Sequence, residues 1–157
     1  MGKKLNEVEL QYWQKYLVTI PNANRPIDPT IEGSYAGNVD CTDKLLELYL
    51  TGKKTAGSSL AEDFISNGEP IPKVGNYWIL LDSKNQPSCI LRTERVVLNK
   101  FTAVPPEISV AEGEGDLTLE YWQKSHQKYF SPFLQDFGIT DINEAIIVTE
   151  FFALIYK

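Results

Sequence analysis

The chain has 157 residues, 43% of them apolar and 11% aromatic, enough for a real core in one compact unit. Its formal net charge of -6 argues against a protein built to coat duplex nucleic acid, and no duplex DNA partner is expected, because that binding depends on Lys and Arg neutralising phosphates. No run of about eighteen apolar residues occurs and the amino terminus carries no signal-like apolar segment, so a soluble, cytoplasmic protein with no membrane partner is expected.

In chain order, residues 6–17 read as a helix with Val8, Tyr12, Trp13, Tyr16 and Leu17 on one face, and Asn6 and Glu9 have the spacing of a capping pair. Residues 21–39 hold Pro21, Pro26, Pro29, Gly33 and Gly37 without a period and read as a long connection, a candidate lid. A second helix is expected over 42–51, with Leu45, Leu46, Tyr49 and Leu50 as its buried stripe and Gly52 as its left-handed stop. Residues 52–59, Gly-Lys-Lys-Thr-Ala-Gly-Ser-Ser, then read as a polar, glycine-bounded loop. Strands are expected over 77–81, 88–98 and 145–156, the first two joined as a hairpin by the turn-forming residues 82–87. Residues 111–116, Ala-Glu-Gly-Glu-Gly-Asp, form a carboxylate turn, and Asp116 caps a helix running to Phe130. Strands on both sides of a helix indicate an α+β fold with a small barrel.

Two polar segments carry the chemistry. Lys54 follows a helix stop among small residues; desolvated in a cleft it becomes a base or donor, whereas on the surface Lys53 and Lys54 would only satisfy the carbonyls ending the helix. Thr55, Ser58 and Ser59 offer hydroxyls to a base, sugar or phosphate, or serve turn chemistry. Glu112, Glu114 and Asp116 alternate with glycine, so mutual repulsion is expected to raise at least one of them, suiting a Glu to protonate a leaving group. The same carboxylates also complement a helix start or meet a hard cation. His126, the only histidine, either donates to backbone or works as an acid-base group. Arg92 and Arg95 lie on opposite faces of a strand, so one of them faces any cleft. Cys41 and Cys89 lack metal-type spacing and read as buried free thiols, and no cofactor is expected. Residues 52–100 carry seven basic and five acidic side chains, a local +2 that permits a positive groove, or an ordinary solvated surface.

The order Gly-Lys-Lys-Thr-Ala, Val-Gly-x-Tyr at Val74 to Tyr77, Ala-Glu-Gly-Glu-Gly-Asp and Trp-x-x-x-His at Trp122 to His126 closely resembles bacterial ASCH-domain proteins of the longer type, over residues 35–157. The resemblance implies a single PUA-like domain: a small twisted β-barrel with flanking helices and a cleft used for RNA. Some small members remove the acetyl group from N4-acetylcytidine, and another has been proposed as a ribonuclease. Residue by residue, it places the working Lys on Lys54 and the working Glu on Glu114. The Thr of those members falls on Gly57, which has no hydroxyl, and an Arg two residues further on falls on Ser59.

Three readings follow. In the first, Lys54 and Glu114 hydrolyse the amide of an acylated nucleoside, with Thr55, Ser58, Ser59 or a water in place of the missing hydroxyl and with Lys53, Arg92, Glu112, Asp116 and His126 as binding residues. In the second, the same cleft holds a short RNA or nucleotide without catalysis. The third, a metal-assisted nuclease on Glu112, Glu114 and Asp116, lacks a second carboxylate cluster. The oligomeric state is left open.

Overall fold

Asn6 accepts from the Glu9 amide at 2.8 Å while the Glu9 carboxylate accepts from the Asn6 amide at 3.1 Å, and this capping box starts helix α1 (Glu7–Leu17). In this computed structural model, which describes residues 4–157, the elements that follow are β1 (Ile31–Tyr35), α2 (Thr42–Leu50), β2 (Ala56–Leu60), α3 (Ala61–Ser66), β3 (Tyr77–Leu81), β4 (Pro87–Lys100), α4 (Pro106–Glu112), α5 (Leu119–Phe130) and β5 (Ile146–Tyr156). The fold is α+β, as expected, with one mixed sheet in the order β1-β3-β4-β5-β2, so β1 and β2 are its edge strands. No helix among the described residues is long and apolar enough to cross a membrane.

The chain forms two compact units, and β4 and β5 each run from one to the other. The first comprises Lys53–Pro72 and Arg95–Phe151. Here β2 pairs antiparallel with β5 in the register Ala56 to Phe151, Ser58 to Thr149 and Leu60 to Ile147. Those residues share one face because directly paired side chains point the same way. Below that face α4 and α5 contribute Ile108, Trp122 and Phe130 to a core with Leu60, Phe101, Val104 and Ile147.

The second unit comprises, among the described residues, 4–52, Lys73–Glu94 and Phe152–Lys157. Its strand β3, Tyr-Trp-Ile-Leu-Leu, is apolar throughout because both faces are covered. Tyr77, Ile79 and Leu81 meet Trp13 and Tyr16 of α1, whereas Leu80 and Trp78 pack with Leu46 and Tyr49 of α2. Cys89 is fully buried on the α2 side, where burial pushes its thiol up to about 12, and Cys41 is half-buried.

Several expectations need correction. Residues 21–39 are not one long connection, since they contain β1, parallel to β3 in the register Ile31 to Tyr77. Gly33 within β1 faces the Glu9 carboxylate so closely that a Cβ would lie 2.4 Å from Oε1. Glu9, not Val8, therefore takes the buried position on α1: it is 3% exposed and Val8 48%. The glycine-bounded loop becomes strand β2 after Thr55, and the acidic turn begins as the end of helix α4, with Gly113 (φ 69°) as its left-handed cap. Asp116 does not cap α5. Thr118 does, accepting from the Tyr121 amide at 3.1 Å, because Gly115 (φ 58°) and Leu117 (φ 69°) keep the chain out of helix until then.

Candidate functional site

The left-handed Gly52 ends α2 and turns the chain so that Lys54 enters the first unit two residues before β2. Gly113 then lies against this segment: a Cβ on it would be 2.1 Å from the Lys53 carbonyl oxygen. Thr55 fixes the approach, its amide donating to the Ala111 carbonyl at 2.7 Å and its hydroxyl to the same oxygen at 3.3 Å. Two segments sixty residues apart are thereby clamped backbone to backbone.

Between them Lys54 is 4% exposed. Its ammonium donates to Glu114 Oε2 at 3.0 Å, Glu112 Oε1 at 3.1 Å and the Glu112 carbonyl at 3.3 Å. Three acceptors match its three protons. Two carboxylate oxygens and a carbonyl around one nitrogen suit an ammonium that donates.

Glu112 is the hub. Its Oε1 meets Lys54, and Oε2 accepts from the Ser58 hydroxyl at 2.8 Å and from the Trp122 indole N–H, with His126 Nε2 3.4 Å away. Burial pushes this carboxyl up, but the Lys54 ammonium, the His126 hydrogen bond and charge, and the Trp122 donor together outweigh burial and bring it down to about 2. Glu112 is thus ionised, and the rise expected for at least one of the three carboxylates falls neither on it nor on Asp116. Glu112 and Glu114 share the Lys54 ammonium between them, and Asp116 is engaged elsewhere. Glu112 points inward, Glu114 is a quarter exposed, and Asp116 turns to Thr118, whose hydroxyl and amide hold it below its usual value.

His126 stacks on Trp122 with ring centroids 4.1 Å apart, and its Nδ1 lies 2.8 Å from the Trp122 carbonyl, a geometry in which that nitrogen carries the hydrogen. Ser58 also lies 2.8 Å from the hydroxyl of Thr149, its partner on β5. Trp122 and fully buried Thr149 were not singled out as site residues. The Trp-x-x-x-His spacing of one helix face held the signal for Trp122, while Thr149 sits in an apolar strand whose partner was unrecognised.

The structure brings Lys54, Ser58, Glu112, Glu114 and His126 together. Lys53 and Thr55 are exposed, and Ser59 and Gly57 lie on the β2 face opposite Ser58. Arg92 belongs to the second unit, where it is engaged with Glu94 and Tyr77. In the first unit Arg95 lies 4.1 Å over the Phe151 ring and donates to Glu107 at 2.6 Å. Among the described residues no group of three His, Cys, Asp or Glu side chains is placed to hold a metal ion. Glu112, Glu114, Tyr121, Ser125 and His126 line a cavity of about 10 Å³, room for roughly one water molecule.

The family model described as ASCH domain matches residues 33–156, most of the chain. A crystallised ASCH domain from Lactobacillus crispatus is 24% identical, covers 99% of this chain and 98% of its own, and superposes with a TM-score of 0.91, a likeness of fold. A protein from Enterococcus faecalis is 27% identical over 95% of this chain and 88% of its own, with a TM-score of 0.80. No curated protein matches.

Proposed function

The chain belongs to the ASCH domain family, and from that premise we propose that its first unit hydrolyses the amide of an acylated nucleoside, N4-acetylcytidine being the representative substrate. The observation that carries this reading is the buried Lys54 ammonium beside a carboxylate, Glu114, that is still partly open to solvent. An amide carbonyl on Lys54 is polarised, and Glu114 takes a proton from an attacking water as the oxygen–carbon bond forms. Glu114 returns that proton to the nitrogen as the carbon–nitrogen bond breaks, leaving the free exocyclic amine and acetic acid, which loses its proton to solvent as acetate. A water suits this chain because Gly57 has no hydroxyl and Ser58 is committed to Glu112 and Thr149.

Charge supports a nucleoside over an RNA strand. Among the described residues the first unit carries six basic and twelve acidic side chains, a net -6, whereas the second carries eight basic and nine acidic. A unit of that sign repels a polyanion. The test is product formation from N4-acetylcytidine and a small panel of acylated nucleosides. Lys54→Met and Glu114→Gln are each expected to lose about 100-fold or more in kcat with an unchanged circular dichroism spectrum. Full activity in both variants sinks the reading, and RNA binding that weakens with salt in the absence of any turnover transfers the site to the binding module.

A further inference from the structure

Lys54 has two carboxylate partners, and they are not equivalent. The Glu112 side chain is 3% exposed and is held by Lys54, Ser58 and Trp122, so its departure breaks three hydrogen bonds and leaves the buried indole N–H of Trp122 without its acceptor. Glu114 is 26% exposed and belongs to the short stretch between α4 and α5. The Glu114 carboxylate takes its hydrogen bond from Lys54 alone among the described side chains, so a change of rotamer frees the ammonium without unwinding either helix. The backbone needs no movement: Gly113 stays against the Lys53 carbonyl and the Leu117 amide stays on the Glu114 carbonyl at 3.1 Å. The adjoining cavity of about 10 Å³ admits a water and nothing larger.

We propose that Glu114 occupies the ligand's own place on Lys54, so that the resting site is closed by its own carboxylate and opens when a ligand offers the ammonium a neutral oxygen acceptor in exchange. Lys54 and Glu112 already balance one charge against one, so an uncharged carbonyl or hydroxyl replaces Glu114 without leaving the ammonium uncompensated. This rests on the amidohydrolase reading in one respect: the released Glu114 carboxylate becomes the group that meets the attacking water. The exchange also means that apparent affinity is lowered by the fraction of molecules in which Glu114 is still in place.

Two measurements on the full chain separate this proposal from that reading. Calorimetry with cytidine as probe is expected to show on the order of tenfold tighter binding to Glu114→Ala than to wild type, with Glu114→Gln between them. Reductive methylation with formaldehyde and a borohydride, mapped by mass spectrometry, is expected to spare Lys54 in wild type while modifying Lys53, and to reach Lys54 at least about tenfold faster in Glu114→Ala. If no protein binds cytidine but Lys54 is unmasked, the closure stands and the nucleoside reading falls. Weaker cytidine binding by Glu114→Ala makes Glu114 a ligand contact and overturns the proposal. Lys54 equally protected in wild type and both variants overturns it as well.

Discussion

Glu112 shows how a carboxylate is kept ionised where burial opposes it, through one ammonium, one hydroxyl, one indole N–H and one imidazole. Exchanging it for a neutral amide leaves Lys54 without its inner counter-charge, so Glu112→Gln is expected to lose about 3 kcal/mol at neutral pH. The acid limb is more diagnostic. The unfolded chain takes up the Glu112 proton near 4.5 and the folded chain only near 2. Falling pH therefore protonates the unfolded state first: the contribution is complete above pH 4.5, declines through the window, and is gone below pH 2. It amounts to about 3 kcal/mol. Urea unfolding from pH 6 downward should lose stability more steeply in wild type than in Glu112→Gln, by roughly one proton per molecule. Parallel curves would mean that Glu112 titrates normally. At this scale the sequence disclosed the residue types, Lys54, Ser58 and Glu112, but not their pairing. Proximity along the chain predicts a raised carboxyl, whereas in space Glu112 and Asp116 each turn to their own donors.

At the scale of elements, the site depends on the close approach of the α4 terminus to Lys53. Gly113 caps α4 and Gly52 follows Thr51, the cap of α2; both are left-handed, with φ 69° and φ 77°, but an added Cβ meets nothing within 4 Å at Gly52 and meets the Lys53 carbonyl at 2.1 Å at Gly113. Gly52→Ala should cost about 1 kcal/mol for the backbone conformation alone. Gly113→Ala adds a clash with main chain that no side chain can relieve, so about 3 kcal/mol or more is expected in denaturant unfolding, together with displacement of Lys54. Equal losses would refute the clamp. The elements the sequence revealed are those with strong local signals: the α1 capping box, the α2 stripe before Gly52, and the Tyr-Trp-Ile-Leu-Leu run of β3. Those it concealed are stabilised from outside. β2 reads Ala-Gly-Ser-Ser-Leu and gains its order from pairing with β5, and β1 contains a glycine because Glu9 needs the space. Helix α4 begins at Pro106, where proline is tolerated because its missing N–H has no partner to lose.

For the whole molecule, the division of charge decides which ligands the site can accept. The +2 of residues 52–100 permits a positive groove or an ordinary solvated surface, and those basic groups are shared between the units: Lys53, Lys54, Arg95 and Lys100 lie in the first, and Lys73, Lys84 and Arg92 in the second. Within the first unit Lys54, Arg95 and Lys100 are each paired with a carboxylate, which leaves less positive field than a count along the chain implies. An anion approaching Lys54 meets a unit of net -6, while a neutral nucleoside feels none of that repulsion. Cytidine 5′-monophosphate should therefore bind more weakly than cytidine at low salt, by roughly tenfold or about 1.4 kcal/mol, and the gap should close as salt screens the field. Calorimetry of both ligands at low and high ionic strength reads this directly. Tighter binding of the monophosphate, weakening with salt, would show that paired lysines and arginines still attract phosphate, and would reopen the site to nucleotides and RNA ends.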